Sequence, residues 1–432
     1  MFLWKSLVTF VEPVRELISK KLQNRFARNL GWLGLSQAFI RFSRLAATLL
    51  LPRFLTPEDY GLAALVLTTY EFTMTFTRVG LNAKVIQASD EELEVISNSA
   101  FWLNWLLYGS LFVLQCLAAF PIAWFYGNDR LILPICVLSI SFLIAPIGRI
   151  QSGLIQRENR LKTYAVAQSI RYATANVLTA IFAIAGMGMW AIVLPRVVAA
   201  PLEFIVYLRQ HSWRPSRRFT TERWGEIFSF GLDILGVQIL KTARENMDYL
   251  IIGRFLGIRE LGFYYFAYNA GLGISLTIIN SITTALYPYL CSARENLAQL
   301  RRAFFGSLKT IALVIVPFVT LQSVAAPFYV PIIFGEEWIP AIPILILICL
   351  SAIPRSFDLA SFHLLAAVDK ARIGLLWNVA FTVIFGLALL VGVQAGVIGV
   401  AIAVLSVYTC LIPIYLLWAT RYVFVARKSL LT

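Results

Sequence analysis

Runs of about 20 apolar residues, each bounded by charges or turn residues, recur from one end of this 432-residue chain to the other. A run of that length, coiled as an α-helix rising 1.5 Å per residue, crosses the roughly 30 Å hydrocarbon core of a bilayer. Composition agrees: 59% of the residues are hydrophobic and 14% charged, against roughly 45–50% and 25% in a soluble domain, which could not bury so much apolar surface. The runs predict transmembrane helices over 30–51, 60–82, 98–120, 130–151, 164–185, 190–208, 227–251, 261–283, 303–325, 340–362, 372–393 and 397–419.

The formal net charge of +14 resides in short loops between these runs rather than on one polar domain, so no nucleic-acid partner is expected. Its distribution instead sets orientation. With the amino terminus inside, the loops and termini on the cytoplasmic side hold 24 Lys and Arg, and the opposite side only Arg53, Arg130, Arg254 and Arg259. Both termini are therefore expected in the cytoplasm, and residues Trp4 to Arg28 read as an amphipathic helix on the membrane surface. Cys116, Cys136, Cys291, Cys349 and Cys410 show no CxxC spacing and read as small buried hydrophobes.

The chain also repeats itself. Arg53-Phe54-Leu55 followed by Gly61 returns as Arg254-Phe255-Leu256 followed by Gly262, an offset of 201 residues; Ala100-Phe101 matches Ala303-Phe304, Pro134 matches Pro343 and Pro146 matches Pro354. The expected fold is therefore an all-α polytopic membrane protein of about 12 transmembrane helices in two parallel six-helix bundles. Its predicted segments are a cytoplasmic amphipathic stretch over 1–29, a first bundle over 30–208, a basic cytoplasmic connector over 209–226, a second bundle over 227–419 and a cytoplasmic tail over 420–432. Parallel repeats of this kind bind substrate between the bundles near the bilayer midplane.

Nine basic residues fall inside predicted helices: Arg41, Arg44, Arg78, Arg171, Arg196, Lys241, Arg244, Lys309 and Arg355. Each costs about 2.5–3.5 kcal/mol at a helix centre unless water, a counter-charge or an anionic ligand meets it. Gln37, Arg41, Arg44 and Thr48 fall on one helical stripe, Thr68, Glu71, Thr75 and Arg78 on a second, and Lys241, Arg244 and Asp248 on a third. Two readings stay open. In one, the cations Arg41, Arg44, Arg78, Lys241 and Arg244 hold a phosphate or diphosphate, the chemistry guanidinium groups suit best; in the other, Arg78 pairs with Glu71 and Arg244 with Asp248 merely to fix packing. Arg171, Arg196, Lys309 and Arg355 read as snorkelling or paired side chains, Arg355 with Asp358 at i, i+3. Trp102, Trp105 and Tyr108 could line a sugar-stacking wall. His211 and His363 stand alone and no HExxH or GxxxxGK[ST] occurs, so no catalytic residue, metal or cofactor is expected.

The run Arg53-Phe54-Leu55-Thr56-Pro57-Glu58-Asp59-Tyr60-Gly61, the stretch from Gly80-Leu81 to Ile86-Gln87, and Asp248 through Gly262 with Tyr249, Gly253 and Arg254 resemble the Wzx-like oligosaccharide flippases. These form the polysaccharide-transport branch of the multidrug/oligosaccharidyl-lipid/polysaccharide exporter superfamily. The resemblance implies a bacterial inner-membrane, multi-pass flippase that moves polyprenyl-diphosphate-linked oligosaccharide units outward for O-antigen or exopolysaccharide assembly by alternating access. Its partners would be that glycan, membrane lipids and a polysaccharide polymerase. With no ATP-binding motif, the drive would be an ion gradient or downstream consumption, with Glu71, Asp233, Glu245 and Asp248 as coupling-ion candidates. A cation-coupled drug or metabolite exporter of the same superfamily and a non-transport scaffold of a polysaccharide assembly complex are the alternatives.

Overall fold

A computed structural model describes residues 31–78, 81–216, 219–221 and 223–426, which are helical nearly throughout and contain no strand. The amphipathic segment expected over 1–29, Arg217 and Arg218 of the connector, and the tail from 427 onward lie outside the described residues.

The first half runs through α1 (31–50), α2 (Pro57–Thr75), the short α3 (Leu81–Gln87), α4 (Leu93–Tyr126), α5 (Ile132–Ile144), α6 (Arg149–Arg157), α7 (Leu161–Ile184) and α8 (Trp190–Gln210). The second follows with α9 (Trp224–Phe255), α10 (Ile258–Ala267), α11 (Gly273–Ser292), α12 (Leu297–Tyr329), α13 (Ile342–Leu350), α14 (Ala352–Ala367), α15 (Ala371–Gly392) and α16 (Gly396–Arg421). Residues 130–151, expected as one helix, are divided at Pro146, where the missing N–H and ring clash turn Ala145–Gly148 into a 3-10 segment between α5 and α6. A π turn over Tyr268–Leu272 joins α10 to α11.

Six helical stretches among the described residues are long and apolar enough on their own to cross a membrane: Leu93–Tyr126, Asp129–Arg157, Trp190–Gln210, Leu297–Phe334, Glu336–Ala367 and Gly374–Phe424. Helices α2 and α9 carry the polar stripes, and they pack against each other at the centre of the molecule.

The sequence repeat is realised as one contact made twice. At Gly61 a β-carbon would lie 1.9 Å from the carbonyl oxygen of Ile258, and at Gly262 one would lie 1.7 Å from that of Pro57. Residues 57 and 258 are themselves separated by the repeat offset, so α2 and α10 cross reciprocally, each glycine admitting the other helix's first turn. The arginines of the motif reach across as well. Arg53 Nε and Nη2 donate to the carbonyls of Ile333 (2.6 Å) and Ile332 (2.7 Å) at the end of the α12 rod, and the Arg254 guanidinium lies 4.8 Å over the Phe125 ring at the end of α4. Between them Tyr60, Phe266 and the fully buried Trp338 form an aromatic cap, with the Trp338 indole donating to Pro52 O at 2.8 Å.

The remaining motif residues serve the same corner. Thr56 and Asp59 form a capping box at the start of α2, with Pro57 at its first turn. Asp59 Oδ1 also accepts the Met189 N–H at 3.1 Å, holding the tight turn at Gly186 and Gly188, both at positive φ.

The aromatic wall expected from Trp102, Trp105 and Tyr108 does not form. Tyr108 is buried against Phe142, whereas Trp102 packs edge-on against Phe219 and Phe101 against Trp213, so these rings clasp the connector to α4. Helical spacing placed the three together but could not reveal that a loop already covers them.

Candidate functional site

Ser36 and Ser43 of α1 are hydrogen-bonded to α7, Ser36 Oγ donating to Ala165 O at 2.9 Å and Ser43 Oγ accepting from Asn176 at 2.8 Å. That docking turns the Gln37–Arg41–Arg44–Thr48 stripe away from α7, and both arginines are exposed to solvent. On α2, Thr75 hydroxyl meets Thr242 hydroxyl of α9 at 2.8 Å, and Asn246 of α9 bridges Thr68 (3.4 Å) and Glu71 Oε2 (3.5 Å). The α2 stripe thus zips onto α9 and carries Glu71 to the boundary between the two halves.

Arg196 of α8 completes this side. Its side chain is solvent-accessible yet enclosed by protein, as expected in a deep cleft, and Arg44, Glu71 and Tyr265 of α10 all act on it electrostatically. Among the described residues its one hydrogen bond goes back to Ile192 O on its own helix. Arg196 thus feels one like charge, Arg44, and one opposite charge, Glu71.

The second half answers with its own charges. Arg244 of α9 donates to Asn378 Oδ1 of α15 at 2.6 Å and lies over Phe381. Asp248, one turn on, is buried and accepts from Tyr264 Oη at 2.7 Å and from the Tyr249 N–H at 3.0 Å. The expected Arg244–Asp248 pair is therefore replaced by two separate hydrogen-bond sets. Arg355 of α14 lies 4.1 Å over the Tyr408 ring, faces Asp248, Tyr264 and Tyr268, and leaves its buried Nε without a hydrogen bond. The local Arg355–Asp358 pair is likewise not an ion pair; Asp358 interacts with both Arg244 and Arg355. Lys241 and Glu245 face each other at 3.9 Å, both about half exposed.

Of the residues singled out by sequence, Arg44 and Glu71 lie within electrostatic reach of Arg196, Arg244 lies within reach of Asp358, Asp248 is buried, and Arg41, Lys241 and Glu245 are exposed on α1 and α9. Arg78 and Asp233 have side chains outside the described residues. Arg196 and Arg355, expected as snorkelling or paired side chains, lie near carboxylates, Arg196 within electrostatic reach of Glu71 and Arg355 within reach of Asp248 and Asp358. Arg171 does pair, with Glu203 at 2.7 Å, and Glu203 also accepts from Tyr207 at 2.9 Å.

A family model described as polysaccharide biosynthesis protein matches residues 50–343, more than half of the sequence. The chain belongs to that family. The matched stretch takes in both copies of the motif, at Arg53 and at Arg254. Similar relatives within polysaccharide pathways include the teichuronic acid biosynthesis protein TuaB of Bacillus subtilis, 28% identical over 89% of this chain and 81% of the relative. The lipopolysaccharide biosynthesis protein WzxC of Escherichia coli is 26% identical over 87% of this chain and 77% of the relative. Among solved structures, an inward-facing multidrug resistance MATE family transporter superposes with a TM-score of 0.77 over 90% of this chain and 96% of its own, at 14% identity. The lipid II flippase MurJ superposes at 0.76 over 90% and 87%, also at 14% identity. The fold of this polysaccharide biosynthesis family member is therefore that shared by the MATE transporters and MurJ.

Proposed function

We propose that this protein is a flippase for polyprenyl-diphosphate-linked oligosaccharide units, acting in the bacterial inner membrane by alternating access. The observation that supports the reading is a set of cations carried within the helices, Arg44 and Arg196 near Glu71 in the first half and Arg244 and Arg355 near Asp358 in the second, which we assign to one basic cleft between the halves. A diphosphate is the ligand that several fixed guanidinium groups suit, and the cleft's Glu71, Asp248 and Asp358 leave the cations in excess. Relatives named for teichuronic acid and lipopolysaccharide biosynthesis support a glycan cargo, and the fold shared with a lipid II flippase supports a lipid-linked one.

In this reading all twelve predicted segments cross the membrane in two six-helix bundles with both termini in the cytoplasm. The helices that fall short of span-like hydropathy, α2 and α9 among them, do so because their polar faces line the cleft. Arg41, Arg44, Arg78, Lys241 and Arg244, joined by Arg196 and Arg355, take the diphosphate; the sugars occupy the wet interior and the prenyl chain stays in lipid. Glu71, Asp233, Glu245 and Asp248 remain the coupling candidates. Asp248 has the most developed environment, since its Tyr264 partner can hold or hand on a proton. A polysaccharide polymerase would consume the outward-facing product.

Deleting the gene and measuring the leaflet location of polyprenyl-diphosphate-linked glycan tests this. Accumulation of inward-facing linked glycan with loss of surface polymer is expected. Unchanged glycan and polymer, with altered drug accumulation, would move the assignment to the drug-exporter branch.

A further inference from the structure

A second basic site lies away from the cleft, where the α6–α7 turn meets the end of α8. Glu158, Arg160, Arg209, His211 and Arg214 line a polar pocket of about 380 Å³, room for roughly a dozen waters at about 30 Å³ each and so for more than a lone ion. Its walls are fixed. Arg214 donates to the carbonyls of Leu208 (2.8 Å), His211 (2.7 Å) and Trp213 (2.7 Å), capping the end of α8. The Trp213 N–H donates to His211 Nδ1 at 3.1 Å, which leaves Nε2 to carry the ring proton toward Glu158 Oε1 at 3.1 Å. Arg160 spans Glu158 (3.1 Å) and Gln210 (3.2 Å).

Three guanidinium groups and one carboxylate line the pocket, a charge of +2 before His211 is counted. Burial pushes the Glu158 carboxyl up, but the Arg160 and His211 contacts outweigh it and hold the group below its ordinary value, so the carboxylate stays charged. Arg209 has no hydrogen bond or ion pair among the described residues. The pocket is built where α7 begins and α8 ends, and on those two helices Val166, Ile170, Val198 and Ile205 are exposed apolar side chains. A charged pocket at the ends of helices that carry exposed apolar side chains matches an amphiphile with a negative head, not a soluble anion.

We propose that the Arg160–Arg209–Arg214 pocket seats the phosphodiester of an anionic bilayer lipid whose acyl chains lie along α7 and α8. The site is separate from the cleft, and its occupancy does not depend on what the cleft carries.

The test is native mass spectrometry of the full chain released from nanodiscs of phosphatidylglycerol with phosphatidylcholine, set against phosphatidylcholine alone, and in competition with inorganic phosphate. Wild type should retain phosphatidylglycerol selectively, and Arg209→Ala and Arg160→Ala should each weaken retention about fivefold, the effect of one surface cation on an anionic headgroup. Arg209→Lys should restore most of it, and Arg259→Ala, elsewhere on the chain, should change nothing. Arg209 holds no structural hydrogen bond, so its variants fold. Equal retention by wild type and Arg209→Ala, or no preference for phosphatidylglycerol, overturns the proposal; displacement by millimolar phosphate alone overturns the assignment to lipid.

Discussion

Arg171 and Arg196 sit on adjacent helices of one half and are treated oppositely. Arg171 is neutralised by Glu203, whose other oxygen accepts from Tyr207, so removing it strands a largely buried carboxylate. Arg171→Ala should therefore destabilise the purified protein by about 3 kcal/mol, and Arg171→Met with Glu203→Gln should recover most of that; equal unfolding temperatures for wild type and the single variant would contradict the pairing. Among the described residues Arg196 donates to its own helix's Ile192 carbonyl and to no carboxylate, so Arg196→Ala should leave the unfolding temperature nearly unchanged. Sequence reasoning gave Arg171 and Arg196 the same reading, snorkelling or paired, and could not name Glu203, because helical spacing reports which residues share a face and not what that face meets. The i, i+3 logic that matched Arg355 with Asp358 failed similarly: Tyr408, Tyr264 and Asp248 come from other helices and draw the guanidinium away.

At the scale of the element, the legible part was the motif that encodes a contact twice. Arg53, Gly61, Arg254 and Gly262 stand out in the sequence because each half must present the same turn to the other, and the crossing of α2 with α10 leaves no room for a β-carbon at either glycine. Gly61→Ala and Gly262→Ala should each cost about 1–3 kcal/mol through overpacking against backbone that cannot yield, read as lowered unfolding temperature; wild-type stability in both would show the crossing to be looser than described. Asp59→Ala should cost about 1 kcal/mol by removing the carboxylate half of the α2 capping box, which accepts from the Thr56 N–H and hydroxyl, and further loosen the Gly188 turn through the lost Met189 bond, measured as faster hydrogen exchange over 186–190. The π turn at Tyr268 and the clasp of Trp102 on Phe219 were not legible, since both depend on partners remote in sequence.

For the whole molecule, the two arginine contacts and the aromatic cap join the halves beside the α2–α10 crossing, and the cleft proposed above would run along α2 and α9, which pack together. Alternating access requires those contacts to part. Linking Arg53→Cys to Ile333→Cys with a short bifunctional thiol reagent should stop glycan translocation while leaving glycan binding intact, and continued translocation would show that these contacts do not open during the cycle. The central claim, that cations from both halves hold a diphosphate in the cleft, is tested most directly by translocation of polyprenyl-diphosphate-linked glycan by the purified protein in proteoliposomes, wild type against Arg44→Ala, Arg196→Ala and Arg244→Ala at equal folded abundance. The account predicts at least a tenfold loss in each variant, the consequence of about 1.4 kcal/mol or more from one charge-assisted hydrogen bond to a phosphate; undiminished translocation in all three would contradict it.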